Sequence, residues 1–320
     1  MKKIVTTVIL MIITFVGFSQ KSSYYKVGDT LYYENNRATY GKTNTLVILK
    51  ETNVANDTYK VEKYLLDESK NTYILDSKFT TNGLQILMSN GDYISYHKNG
   101  KKASEGQTVN GKKGAGIWTY FYPNGEKKCE QKEVSENYFN DKVKKVMVNF
   151  WDEKGRQTVK KGNGFVQYKD DDGLLIKGSY KKGVRNETWT AFDGKVKKYE
   201  ETYKKGVLTK GTSWNTEGAS FDYKEVFAPA YYKKNDKSSV RKYVDNNFKP
   251  KKVGVGGDIN VKFLITKEGL VQNVNIIRGL TGDYNTEVKR VLSEMKGWFP
   301  AKKRGQAYDS TYSLDLHFSE

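Results

Sequence analysis

The chain has 320 residues, with 55 Lys and Arg against 37 Asp and Glu, a formal charge of +18. In a cytosolic protein that balance would suggest nucleic acid, but an N-terminal leader and the scatter of the lysines argue against it, and no nucleic acid is expected. One cysteine, Cys129, excludes an internal disulfide, and four prolines exclude a stiff Pro-rich spacer.

In chain order, the first element is the leader MKKIVTTVILMIITFVGFSQ. Lys2 and Lys3 make a basic start, Ile4 to Phe18 is mostly apolar, and Gly17 and Ser19 form a small-x-small cleavage site. Residues 1–19 therefore read as a cleavable export signal, with a periplasmic or envelope-associated product. The competing reading is an uncleaved anchor, but as a helix the apolar run reaches only ~22 Å, against roughly 30 Å of bilayer hydrocarbon.

Residues 20–90 carry strand-like runs such as NTLVILKET and TYKVEKYLLD. They read as an N-terminal β region, either plain antiparallel sheet or decayed repeats. Residues 91–222 repeat a short phrase. GSYKKGV at Gly178 returns as ETYKKGV at Glu201, Trp189 is followed by Trp214, and YHKNGKK is echoed by FYPNGEKK. A fixed period of this kind signals stacked supersecondary units, here hairpins with Asn-Gly turns and alternating aromatic strands. No hairpin can bury its aromatic face alone, so stacking explains 24 Tyr and 5 Trp in so polar a chain. Trp118, Trp189 and Trp214 are the expected core aromatics.

With Gly116-Ile117-Trp118 through Tyr122, Asn124 and Gly125, this segment resembles the bacterial variant of the membrane occupation and recognition nexus (MORN) repeats. The resemblance implies architecture more than activity. Lysine pairs beside the turns (Lys101-Lys102, Lys112-Lys113, Lys127-Lys128, Lys181-Lys182, Lys204-Lys205) read as solvated tips that discourage edge aggregation. Weak attraction to anionic envelope polymers or lipid is the alternative.

Residues 223–320 change pattern. Val240, Tyr243, Val244 and Phe248 share one face of a helix that stops before Pro250. Ile259, Val261, Phe263 and Ile265 line one side of a strand, and Val274 and Ile276 sit on its partner after a Glu268-Gly269 turn. Asp283 is the expected N-cap of a second helix carrying Tyr284, Val288, Val291, Leu292 and Met295. Trp298 and Pro300 would end that helix and plug the gap to the sheet. Last, STYSLDLHF alternates Tyr312, Leu314, Leu316 and Phe318 inward with Thr311, Ser313, Asp315 and His317 outward. The fold class is therefore mixed: an all-β antiparallel hairpin repeat region, then an α+β domain of a three-stranded antiparallel sheet with two helices on one face.

The ordered set of helix, Trp-x-Pro-Ala, basic Gly turn and terminal strand, with GDINVKFLITKEGLVQNVNIIRG before it, resembles the TonB C-terminal domain family over Phe227 to Phe318. The resemblance implies that the last strand lies at a sheet edge and can pair with an extended segment of an outer-membrane transporter, through Ser310, Thr311, Ser313, Asp315 and His317. An edge strand that binds nothing, or that pairs in a homodimer, is the competing outcome. Energy-transducing members keep an N-terminal anchor with a Ser and a His and a long Pro-rich reach; here no His precedes His97, Lys249 replaces an aromatic, and residues 250–257 are short for the expected helix. The resemblance thus implies the peptide-binding module, while these departures leave coupling to a proton gradient open.

No enzyme, cofactor or metal is expected either. One Cys and two His cannot assemble a Cys/His metal cluster. GKKGAG lacks the Gly-Lys-Ser/Thr ending of a phosphate loop, and DDDG at Asp170 to Gly173 lacks the remaining calcium ligands. Two functions stand: an envelope adaptor that grips a transporter peptide by its terminal strand, or a repeat scaffold that binds peptidoglycan or anionic lipid through lysine-rich tips, with the C-terminal domain for dimerisation.

Overall fold

The computed structural model describes residues 25–114, 116–135, 143–233, 237–250 and 254–319. The expected export signal lies outside the described residues. No helix among the described residues is long and apolar enough to cross a membrane. The chain forms two compact units, Met1–Lys144 and Lys145–Glu320.

In the first unit, strands β1 (Thr30–Glu34), β2 (Arg37–Thr39), β3 (Thr45–Asn53), β4 (Thr58–Asp67), β5 (Thr72–Thr81), β6 (Ser89–Tyr96), β7 (Lys102–Val109), β8 (Lys112–Lys113), β9 (Ile117–Phe121) and β10 (Lys127–Ser135) are paired antiparallel. Strands β3 to β7 pair in sequence order, β7 pairs with both β8 and β9, and β9 pairs with β10. The register places Leu49, Val61, Phe79, Tyr93 and Gly106 in one cross-strand row. Trp118 continues that row by lying on Gly106, where a Cβ would stand 2.5 Å from Cδ2 of the indole.

The second unit repeats the device. Strands β11 (Val143–Trp151), β12 (Gln157–Lys160), β13 (Asn163–Lys169), β14 (Leu175–Lys181), β15 (Val184–Asp193), β16 (Val196–Lys204), β17 (Val207–Trp214) and β18 (Ser220–Tyr223) form a continuous antiparallel meander. Lys182-Gly183 and Lys205-Gly206 take positive φ at both positions (53° and 79°, 52° and 85°), as two-residue turns that match strand twist require. This is the physical content of the repeated Tyr-Lys-Lys-Gly-Val phrase. Trp189 lies on Gly178 and Tyr223 on Gly211, where a Cβ would come within 2.1 and 2.3 Å of the ring. Large rings bury themselves against the opposite strand because the facing residue has no side chain.

The rest of the unit comprises β19 (Phe227–Ala228), β20 (Tyr231–Tyr232), α1 (Lys237–Asn247), β21 (Gly257–Ile265), β22 (Val271–Arg278), α2 (Gly282–Ser293), β23 (Trp298–Phe299), β24 (Ala301–Lys303), β25 (Gln306–Tyr308) and β26 (Ser310–Phe318). Strands β22, β21 and β26 make an antiparallel sheet in that order. Its core joins Ile259, Val261, Phe263 and Ile265 of the sheet to Val240 and Val244 of α1 and to Tyr284, Val288, Val291 and Leu292 of α2. Each of these buried side chains contributes about 1.5–3 kcal/mol relative to exposure.

Two local expectations are corrected. Thr281, not Asp283, is the N-cap of α2, and its side chain makes no cap hydrogen bond. Asp283 instead sits in the first turn, where its charge favours the helix dipole. The helix ends at Ser293, so Trp298 and Pro300 do not terminate it. Gly297, at φ 97°, turns the chain, after which β23 pairs with β20 and β24 with β19 and β25.

Candidate functional site

Strand β26 is clamped from its inner face. Leu316 and Phe318 are buried, and the Phe318 ring lies 4.7 Å from Phe248 and 5.5 Å from Tyr284. Tyr312 meets Trp298 edge-on at 4.9 Å and Phe263 at 5.4 Å. Trp298 is buried and also packs on Tyr232, and Pro300, two residues on, is half-buried. Its Nε1 has no hydrogen-bond partner among the described residues.

All nine residues of β26 pair with β21 on one side, and no strand among the described residues pairs on the other. The rim is capped at one end. Arg241 of α1 donates from Nη1 to the His317 carbonyl at 2.6 Å, while its Nε donates to Asp245 at 2.7 Å. Of the residues singled out in the sequence, Ser310 is half-buried and Thr311, Ser313, Asp315 and His317 are exposed. On that outer face Asn260 Nδ2 donates to Asp315 Oδ1 at 2.5 Å, and His317 Nδ1 lies 2.8 Å from Asp258 Oδ1. Both members of the His317–Asp258 pair are largely in water, so the contact adds little stability.

What sequence reasoning missed lies just upstream of this strand. The turn Arg304-Gly305 between β24 and β25 is not a solvated tip. Arg304 Nε donates to Glu201 Oε1 at 2.8 Å, and Glu201, on β16, is completely buried. Tyr223 donates to the same oxygen at 2.9 Å. Arg185 Nη1, at 3.3 Å, and Tyr203, at 2.8 Å, serve Oε2. Two guanidinium and two phenol donors thus occupy the four acceptor positions of one carboxylate. Burial, with Glu201 alongside, pushes Tyr203 up to about 12. Arg304 also lies 3.7 Å over the Tyr199 ring, and its carbonyl accepts from Ser213 Oγ at 2.7 Å. Gln306 Nε2 donates to the same Ser213 oxygen at 2.8 Å. The small β24–β25 hairpin therefore pins the terminal domain to the hairpin meander through one buried ionic cluster.

The remaining singled-out residues are structural in their surroundings. Trp189 is fully buried, donates to the Ser179 carbonyl at 3.1 Å and carries Arg185 at 4.2 Å over its ring. Trp214 is half-buried under Lys197. His97 Nε2 meets the Phe121 carbonyl at 3.0 Å and joins two stacked turns, where Asn99 Nδ2 donates to the Pro123 carbonyl at 2.7 Å. Asp170 Oδ1 accepts from the backbone of Asp172 and Leu174 and so closes its own hairpin. Cys129 is buried, which pushes its thiol up to about 12. No three His, Cys, Asp or Glu side chains converge among the described residues.

Set beside known proteins, the chain matches no family model, no curated protein and no solved structure.

Proposed function

We propose that this protein is an exported envelope adaptor whose C-terminal domain, of the TonB kind, takes an extended segment of an outer-membrane transporter as an added strand beside β26. The observation that carries this reading is that β26 pairs along its whole length with β21 and with no strand on its other side among the described residues. In an antiparallel strand the N–H and C=O of one residue share a side, and the side alternates along the chain. With the His317 carbonyl held by Arg241, the outward set is Thr311, Ser313, Asp315 and His317. Arg241 occupies the last of these, so the segment a partner can use runs from Thr311 to Asp315. Main-chain bonds there give affinity, and the flanking side chains give selectivity.

The test is titration of the full chain with a panel of transporter N-terminal peptides, alongside Ser313→Pro. Proline at an outward edge position removes a donor without touching the pairing to β21. Saturable binding that the substitution weakens by about tenfold or more, about 1.4 kcal/mol, supports the proposal. Equal binding by both proteins, or none by either, refutes it.

A further inference from the structure

The first unit holds a cleft of about 570 Å³ that the terminal strand does not involve. That size lies within the roughly 300–1,000 Å³ of small-molecule sites. Its floor is an aromatic row: the Phe79 and Tyr93 rings stack at 5.7 Å and 20°, and Tyr93 meets Trp118 at 5.9 Å. Next to this row the register aligns Lys63, Ser77, Ser95 and Ser104 across four strands. Ser95 and Ser104 share a hydrogen bond at 2.7 Å. Ser89 and Thr108 line the other flank. The cleft exists because these short hydroxyl side chains stand where large apolar ones would close the sheet face.

Charge is the second observation. Among the described residues Lys63, Lys112 and Lys113 line the cleft and no Asp or Glu does, although Asp76 lies 3.7 Å from Lys63 Nζ. Lys113 Nζ sits 4.6 Å over the Trp118 ring and 4.7 Å over Tyr120, and burial lowers its pKa. The third is an unsatisfied donor in the wall. Trp118 is 2% exposed, and its Nε1 has no partner among the described residues, whereas the equivalent indole of Trp189 is bonded. Buried donors of this kind are uncommon and call for an explanation.

We infer that this cleft binds an acidic saccharide, a short run of pyranose rings bearing a carboxylate or phosphate. The apolar faces of the rings suit the half-buried Tyr93, which Phe79 and Trp118 flank and support. Sugar hydroxyls match the serine and threonine rows, each of which can donate and accept. The anionic group fits the lysine rim. An acyl chain would leave the hydroxyl rows unmatched, and the platform lacks the extended basic track of a nucleic-acid site.

The experiment applies the full chain to an array of neutral, uronate-bearing, muramyl and phosphorylated glycans, with Lys112→Gln/Lys113→Gln and Ser95→Leu beside the wild type. Retention of acidic members at least about tenfold above neutral counterparts, lost by similar factors in both variants, is the expected result. The uronate and phosphorylated arms separate the two anion types. Should Ser95→Leu fail to fold, Lys112→Glu, at an exposed position, decides in its place. The inference is overturned if no acidic glycan binds, or if folded variants bind as the wild type does. Displacement by oligothymidylate or phosphatidylglycerol vesicles at lower concentration than by the glycan overturns it too.

Discussion

Truncating Arg304 to alanine removes the one cation that, among the described residues, reaches Glu201 from the terminal domain. The salt bridge at 2.8 Å is a charge-assisted hydrogen bond, worth ~1.5–3 kcal/mol. The guanidinium over Tyr199 at 3.7 Å adds ~0.5–2 kcal/mol. Breaking a buried ion pair outright costs about 3–5 kcal/mol, but Arg185, Tyr203 and Tyr223 still serve the carboxylate, so the expected loss is about 2–4 kcal/mol. For a unit of this size that lowers Tm by roughly 5–15 °C. Hydrogen exchange over β16 and β17, with calorimetry of the full chain, reads the loss where it occurs. A cycle of Arg304→Leu with Glu201→Leu completes the measurement. Each single change leaves one member of the Arg304–Glu201 pair without the other, whereas the double change removes both. The loss of Arg185's carboxylate is common to Glu201→Leu and the double variant, so a coupling energy of at least ~1.5 kcal/mol is expected. An Arg304→Ala loss within ~0.5 kcal/mol, or strict additivity in the cycle, would refute the buried ionic cluster as the domain anchor.

Gly106→Ala places a Cβ 2.5 Å from the Trp118 ring and is expected to destabilise the first unit by ~1–3 kcal/mol, whereas Gly83→Ala, with nothing within 4 Å, should be neutral or slightly stabilising in the same denaturant titration. Cys129 should stay unreactive towards Ellman's reagent at pH 8 until the first unit unfolds. Because its folded value is raised from 9.0 to about 12, its contribution is fully present below pH 9 and is lost as pH climbs through that window. Relative to Cys129→Ala, the wild type should lose about 1.4 kcal/mol per pH unit there, and a flat difference between the two would contradict the assignment.

Where one strand's own chemistry decides, the sequence is readable. Alternation in STYSLDLHF set the inward face of β26, and the spacing of Tyr284, Val288, Val291 and Leu292 marked the buried face of α2; Met295, expected on the same helix, lies past its end at Ser293 yet is buried too. Cross-strand relations are another matter, because register depends on turn lengths and bulges that no single segment encodes. Ser77, Ser95 and Ser104 look unrelated in the chain, and only pairing lines them up. Lys112-Lys113 reads as a solvated tip in the sequence, yet Lys113 folds back over two aromatic rings. Glu201 did leave a signal: it stands in phase with Tyr199 and Tyr203, both buried, so a carboxylate there demanded a buried partner. That the partner would be Arg304, a turn residue 103 positions away, was not legible from either segment.

A pull applied along β26 would not be taken up by slack in a connector. Gln306 and Arg304, the residues that lead into that strand, grip Ser213 on β17 and Glu201 on β16 of the hairpin meander. Tension at the rim would therefore load a whole row of strands in parallel, and the first thing to give would be a single carboxylate's hold on two arginines.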